Sequence, residues 1–377
     1  MIKFTLKLFT VVLLMYAASG LTGCGKEKLS PGTVTDSTII AGSDTAGYLN
    51  GVGTSARFNH PFGLAADAHG NLYIADQGNG VIRKMDSTGL VSTLAGMPGT
   101  RSFVDGAGNQ AAFNMPFGVA IGASGNIYVA DAGNNKIRMI TPAGIVSTFS
   151  GTGATGAANG PDTASFNSPL GVAADASGNV YVADYENNMI RKISAAGLVS
   201  TLAGSGAQGA DNGRDTSATF DLPEGIAVDA SGNVYVADNG NNLIRKITPA
   251  GQVTTLAGSG QAGSANGNGT SASFNSPFGI AVDASGNVYV TDSGNNLIRK
   301  VSPSGTVTTF AGSGIKGAKD ATGTSASFNI PSGLAIDNQG NVYVADENNN
   351  LIRKITSGGA VSTIAAKRQK TTLVIRK

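Results

Sequence analysis

From about residue 57 onward, apolar runs of four to six residues alternate with clusters of Gly, Asn, Ser and Pro. The stretch 277–312 shows the pattern in full. Gly279–Asp283 is mostly apolar, which suits a strand buried on both faces. Val288–Asp292 is β-branched and aromatic, the side chains that fit a pleated surface. Leu297–Val301 alternates apolar with polar, the mark of a half-exposed strand, and Thr306–Ala311 follows as a fourth. The turns between them are Ala284-Ser285-Gly286-Asn287, Asn295-Asn296 and Pro303-Ser304-Gly305, with Gly where the backbone needs positive φ. Beyond the N-terminal apolar run no stretch shows a convincing helical period.

The same unit recurs six times over residues 57–365. Its terminal Asp falls at Asp76, Asp131, Asp184, Asp238, Asp292 and Asp346, at gaps of 55, 53, 54, 54 and 54 residues. A four-stranded antiparallel unit cannot bury both of its faces alone. Stacking six about an axis does so and leaves only short edges. The expected fold is therefore all-β, a six-bladed β-propeller of four-stranded antiparallel blades. The outer-strand pattern occurs a seventh time at Thr38–Gly42, one more than six blades need. This segment is expected to pair into the last blade and latch the ring.

The string P-x-G-[IVL]-A-x-D-x-x-G-N-x-Y-[VI]-[AT]-D-x-x-N-x-x-I-R resembles the NHL repeat, and six copies of that repeat imply a six-bladed propeller. WD40 repeats are shorter and carry a Trp-Asp signature; this chain has no Trp.

Repetition separates scaffold from site. A residue present in all six copies answers a need that every blade shares. This covers the Asp set, the Tyr set from Tyr73 to Tyr343, the Arg set from Arg83 to Arg353 and the Phe set from Phe58 to Phe328. Asp and Arg are expected to tie strand ends to loops by charge-assisted hydrogen bonds. The positions that vary are the candidates. Antiparallel order puts the crossovers, the residue between Pro and Gly, and the residues after each terminal Asp on one rim. Round the ring the Pro-x-Gly position reads Phe62, Phe117, Leu170, Glu224, Phe278 and Ser332. These side chains form either a hydrophobic mouth, which would mark an interaction site, or a packed layer beneath the crossovers. After the terminal Asp most copies have a small or amide residue. Tyr185-Glu186 and Glu347 depart from that, and Tyr185 is the best single candidate for an exposed aromatic contact.

Composition sharpens this picture. Gly is 54 of 377 residues, about twice the usual ~7%, without the period of collagen. Hydrophobic residues at 41% argue against disorder. Residues 38–365 hold 17 basic and 22 acidic side chains, a net of −5, which is poor equipment for a phosphate backbone and disfavours nucleic acid as a partner.

Lys3 and Lys7 precede the apolar run Leu8–Ala18, as in a secretory signal, too short to span a membrane. The end of that run, Leu21-Thr22-Gly23-Cys24, resembles the lipobox of bacterial lipoproteins. That resemblance implies lipid on Cys24, the chain's one Cys, and an anchor in the cell envelope. Gly25 in place of Asp favours the outer membrane in a Gram-negative host. The expected organisation is a signal peptide at 1–23, a flexible tether at 24–37, the propeller at 38–366 and a basic tail at 367–377.

Catalytic machinery is sparse. His60 and His69 fall on opposite faces and cannot share a metal. Glu224 is the sole acid of the Pro-x-Gly ring, so the carboxylate pair needed for acid/base work is missing there. Asp105 to Asn109 resembles a calcium loop but lacks its spaced acids and closing Glu, and reads as a Gly-rich turn. No cofactor is expected. The sequence points to a monomeric, non-enzymatic envelope module that binds a protein or glycan through its crossover rim and the membrane through Cys24. The alternative is a lactonase- or lyase-like enzyme with its site at the axis near Glu224.

Overall fold

A computed structural model of the chain describes residues 42–364. They form six antiparallel sheets, each one repeat. In the fifth, strands Pro277–Val282, Val288–Asp292, Leu297–Val301 and Thr306–Ala311 pair in sequence order from axis to edge. The inner strand begins at Pro277, two residues before the apolar pattern does, because Pro277 already stands opposite Asp292 across a bulge. The inner strand of each blade packs against that of the next, and Pro331–Ile336 of the sixth returns to Pro61–Ala66 of the first. The wheel is closed.

Its core lies between blades rather than within them. Leu64, Ile74 and Phe58 of the first blade pack on Ala335, Ala345 and Ile352 of the sixth, and five equivalent clusters fill the other seams. Full burial of one such Phe or Ile is worth about 1.5–3 kcal/mol.

One feature departs from the four-stranded expectation. In five blades the crossover that precedes the inner strand drops down the outer edge and adds a two-residue fifth strand, as Gly267–Asn268 does against Thr306 and Val307. The third blade keeps four strands, with a single bridge from Gly160 to Val199 in that place. Closure also has an answer in part. Ala360–Thr363 keeps the outer place of the last blade beside Leu351–Ile355. Residues 38–41 lie outside the described region, as do Cys24, the signal and tether segments and the basic tail. Gly42 lies against Asn350 and Leu351, the seat that Gly151 occupies over Asn135 and Lys136 in its own blade.

The sixfold residues form one buried lattice. Each Arg–Asp pair is fully buried at 2.6–2.8 Å. Asp292 Oδ1 accepts the Asn275 N–H and its Oδ2 accepts Arg299 and Asn295, while Arg299 lies over the Phe274 ring and donates to the crossover at Ser273 and Ala265. The Asp and Arg sets are structural, as the repetition predicts.

A second lattice joins neighbours. The short turn after each terminal Asp closes on a left-handed residue: Asn in five blades and Gly80 in the first. Asn tolerates that conformation. Its side-chain oxygen then accepts the N–H of the residue before the next blade's inner Pro, as Asn242 does from Ser276 and Asn350 from His60.

Candidate functional site

The crossover end of the axis is built from three rings. The innermost is the Pro-x-Gly position. Its backbone is fixed by the glycine: a Cβ on Gly63 would collide with the Phe117 carbonyl, and each later hub glycine meets the next blade's carbonyl in the same way until Gly333 meets Phe62. With the backbones this close, the x side chains must fill the axis. Phe62 reaches across it, with its ring centroid 4.4 Å from Phe117 and 4.8 Å from Phe278, both edge-to-face. Phe62 and Leu170 are each 8% exposed, while Phe117 and Phe278 are half-buried. The four apolar candidates therefore form a plug with two partly open rings rather than a wide mouth. It leaves an axial cavity of about 70 Å³, which the hub glycines and the apolar ring Leu64, Val119, Val172, Ile226, Ile280 and Leu334 also line.

Ser332 is turned into the hub, its hydroxyl donating to Pro61 and Ala345 carbonyls. Glu224 is different. It is 7% exposed, and among the described residues its one hydrogen-bond partner is the Asn239 amide, which reaches Oε2 at 3.0 Å and also the Pro277 carbonyl at 3.2 Å. Burial pushes its carboxyl well above the usual range, and the charge of Glu347 pushes the same way, against the Asn239 bond.

The second ring is the residue after each terminal Asp: Gln77, Ala132, Tyr185, Asn239, Ser293 and Glu347. Tyr185 is half-buried, and Glu186 beside it is exposed. Burial raises the Tyr185 hydroxyl, helped by the negative charges of Glu224, Glu186 and Asp221 around it. The structure thus gathers Tyr185, Glu186 and Glu224 into one sector of the rim. Glu347 lies on the sixth blade, where His60 of the first meets it at 3.2 Å. Burial raises the Glu347 carboxyl and His60 draws it back down. The third ring, the residue before each inner Pro, is left-handed in all six copies, including Leu222 and the β-branched Ile330. Such strain persists only where its surroundings hold it, here in five copies through the Asn bond from the preceding blade; Met115, whose preceding blade has Gly80 in that place, has none.

Sequence reasoning missed Asn239, Asp221 and the His60–Glu347 pair. Asp221 was visible as a departure, since five copies carry Asn there. The pair joins residues 287 apart in sequence, and no local pattern announces it. Asp105 accepts Arg138 and the Thr148 N–H, which explains it as part of the blade lattice. His69 lies on the opposite, turn-bearing face, beside Asp67.

Glu224 supplies a pH signature. Its folded-state carboxyl lies above its unfolded value, so the stability it permits is complete below about pH 4.5 and is lost as pH rises through the folded value. Glu224→Gln is expected to match the parent at pH 4 and exceed it in melting temperature at pH 8. A parent–variant gap that does not grow with pH would count against this placement of the proton.

The geometry defines a six-bladed β-propeller whose crossover face surrounds a plugged axis. The comparisons give the family: NHL repeats match at residues 113–138, 166–193, 220–247, 274–301 and 328–355, five of the six blades, and the chain belongs to the NHL-repeat propellers. It is 33% identical over 281 residues to protein SUPPRESSOR OF QUENCHING 1, chloroplastic, of Arabidopsis thaliana, an alignment covering 70% of this chain and 27% of that protein's length. It also spans less than half, 41%, of the NHL repeat-containing protein 2 of Gallus gallus. Among solved structures it superposes on an auxiliary nutrient binding protein of Bacteroides thetaiotaomicron at a TM-score of 0.62 and 17% identity, covering 84% of this chain and 75% of that one. A gluconolactonase of Xanthomonas campestris shares the fold at a TM-score of 0.52 and 13% identity, covering 81% and 85%.

Proposed function

We propose that the protein is a non-catalytic binding module of the bacterial cell envelope, which recognises a protein or glycan partner with the crossover face around its axis. The observation that carries this is where the repeats diverge. Tyr185, Glu186, Glu224 and Glu347 all break the sixfold pattern, and none is needed by the blade lattice. All four stand at one end of the axis. A cavity of about 70 Å³ is far below the 300–1,000 Å³ of ordinary small-molecule sites, which favours recognition on the surface over enclosure of a substrate. The Bacteroides nutrient-binding propeller is consistent with such a role. Replacing Tyr185 and Glu186 together by Ala is expected to abolish capture of the partner from envelope extracts, or binding on a glycan array, with the melting temperature within a few degrees. Retained binding on both would overturn the reading.

Lipid on Cys24 would hold the disc at the membrane, in the outer membrane for a Gram-negative host, with the chain monomeric. No helix among the described residues is long and apolar enough to cross a bilayer. Cys24→Ser is expected to shift the protein from the membrane pellet to the soluble fraction, and an unchanged distribution excludes this anchor.

A second reading has one observation behind it. Glu224 is a buried carboxyl with raised proton affinity, the type of group that serves as a general acid, and the gluconolactonase shares the fold. A lactonase- or lyase-like activity at the axis would be lost in Glu224→Gln. A silent screen of lactones and uronic-acid substrates with the parent protein counts against it.

A further inference from the structure

Glu224 is the one hub side chain whose chemistry the protein leaves incomplete. The other blades place Phe, Leu or Ser at its position, so the scaffold has no need of an acid there. Its Oε2 has the Asn239 amide, and among the described residues no lysine or arginine reaches either oxygen. It shares the wall of the axial cavity with Phe62, Phe117 and Phe278, and with Leu170; aromatic faces attract cations. We propose that the crossover end of the axis seats a cationic side chain of a protein partner, a lysine or arginine head group held between Glu224 and the three phenylalanines. The proposal rests on the reading of this face as a binding surface and names what it binds.

The rim's charge agrees. The Pro-x-Gly ring, the ring after the terminal Asp and the ring before the inner Pro contain two acids, Glu224 and Glu347, and no lysine or arginine. Two further acids depart from the repeat beside them. Asp221 stands where five copies have Asn, and Glu186 where the others have Gly or Asn. Basic departures lie outside these rings: Arg57, Arg101 and Lys316 sit on the crossovers, and Lys136 is turned onto the carbonyls of Gly151 and Thr152. His60 is engaged with Glu347. Size agrees as well. At ~10–15 Å³ per water-sized group, 70 Å³ admits roughly five heavy atoms, enough for an ammonium or guanidinium head and too few for a hexose. Binding favours the ionised carboxylate: any proton that Glu224 holds goes to solvent while the cation keeps all of its own, and the new contact is a charge-assisted hydrogen bond.

The test uses the protein labelled with ¹³C at its glutamate carboxyls, with the Glu224 signal identified by its loss in Glu224→Gln. In a pH titration, butylammonium is expected to bring that signal to the ionised position at a lower pH, saturably in its concentration. Butanol and methyl glucoside leave it in place. Followed through the Phe117 ring signals, butylammonium should bind at least tenfold more weakly to Glu224→Gln. An equal response to butanol or the glucoside, a response without saturation, or an affinity unchanged in Glu224→Gln overturns the cation site. If that happens while Tyr185→Ala with Glu186→Ala still abolishes partner binding, the surface reading survives. If partner binding survives those substitutions, the broader reading fails whatever butylammonium does.

Discussion

Asp292→Ala is expected to destabilise the protein by about 3–5 kcal/mol, the usual cost of removing one member of a buried ion pair. Asp292 does more than pair with Arg299 at 2.7 Å. It also accepts the Asn275 N–H at 2.7 Å and the Asn295 amide at 2.9 Å, so one substitution orphans three donors at a fully buried site. Arg299 has little to fall back on. Its two terminal nitrogens already serve Ser273, Ala265 and Asn266, its Nε has no partner among the described residues, and its charge would be left with neutral oxygens and the Phe274 ring in place of a carboxylate. Because the pair is desolvated, removing both charges is milder than removing one. Asp292→Leu with Arg299→Met is expected to recover a substantial part of the loss, a coupling that a double-mutant cycle reads directly. Urea unfolding of the four proteins decides it. A single-mutant cost below about 1 kcal/mol, in the range of an exposed pair, would mean that the lattice does not hold the blade.

The lattice was legible in the sequence because it is repeated. Six copies of Asp, Arg, Phe and Tyr at fixed offsets state a common structural need without any relative for comparison, and the strand order follows from apolar runs between Gly and Asn turns. The fifth strands were not legible. Gly267-Asn268 has no strand signature, and it becomes one only because the crossover passes an open edge beside Thr306. Asn242 reads as a turn residue, which it is; that its side chain also caps the next blade depends on contact across 34 residues. The candidate site shows the same division. Glu224 and Tyr185 were identifiable as departures from the repeat. The extent to which Phe62 would close the axis, meeting Phe117 from the next blade and Phe278 from the fifth, was fixed by the wheel's radius, and no blade encodes that alone.

The radius is set at the hub glycines, and Gly333→Ala tests it. A methyl group there would be driven into the Phe62 carbonyl and the Gly63 Cα of the first blade, backbone atoms that cannot rotate away. Overpacking of this kind costs about 1–3 kcal/mol, and the upper end is expected because the seam in question joins the last blade to the first. Gly358→Ala is the control. It has ordinary backbone geometry, and its nearest neighbour is 3.9 Å from the added methyl, so it should be neutral or stabilise by up to about 1 kcal/mol through the unfolded chain. Parallel urea unfolding of the two variants separates a hub effect from a general cost of losing glycine; similar values for both would refute the close hub. The proposed binding role extends to the hub. Ser332 donates to Pro61 at this same seam, and the Pro-x-Gly ring shares its backbone with the glycines. Prising the seam apart should therefore weaken partner binding in whatever Gly333→Ala protein remains folded, even though Gly333 itself touches no partner.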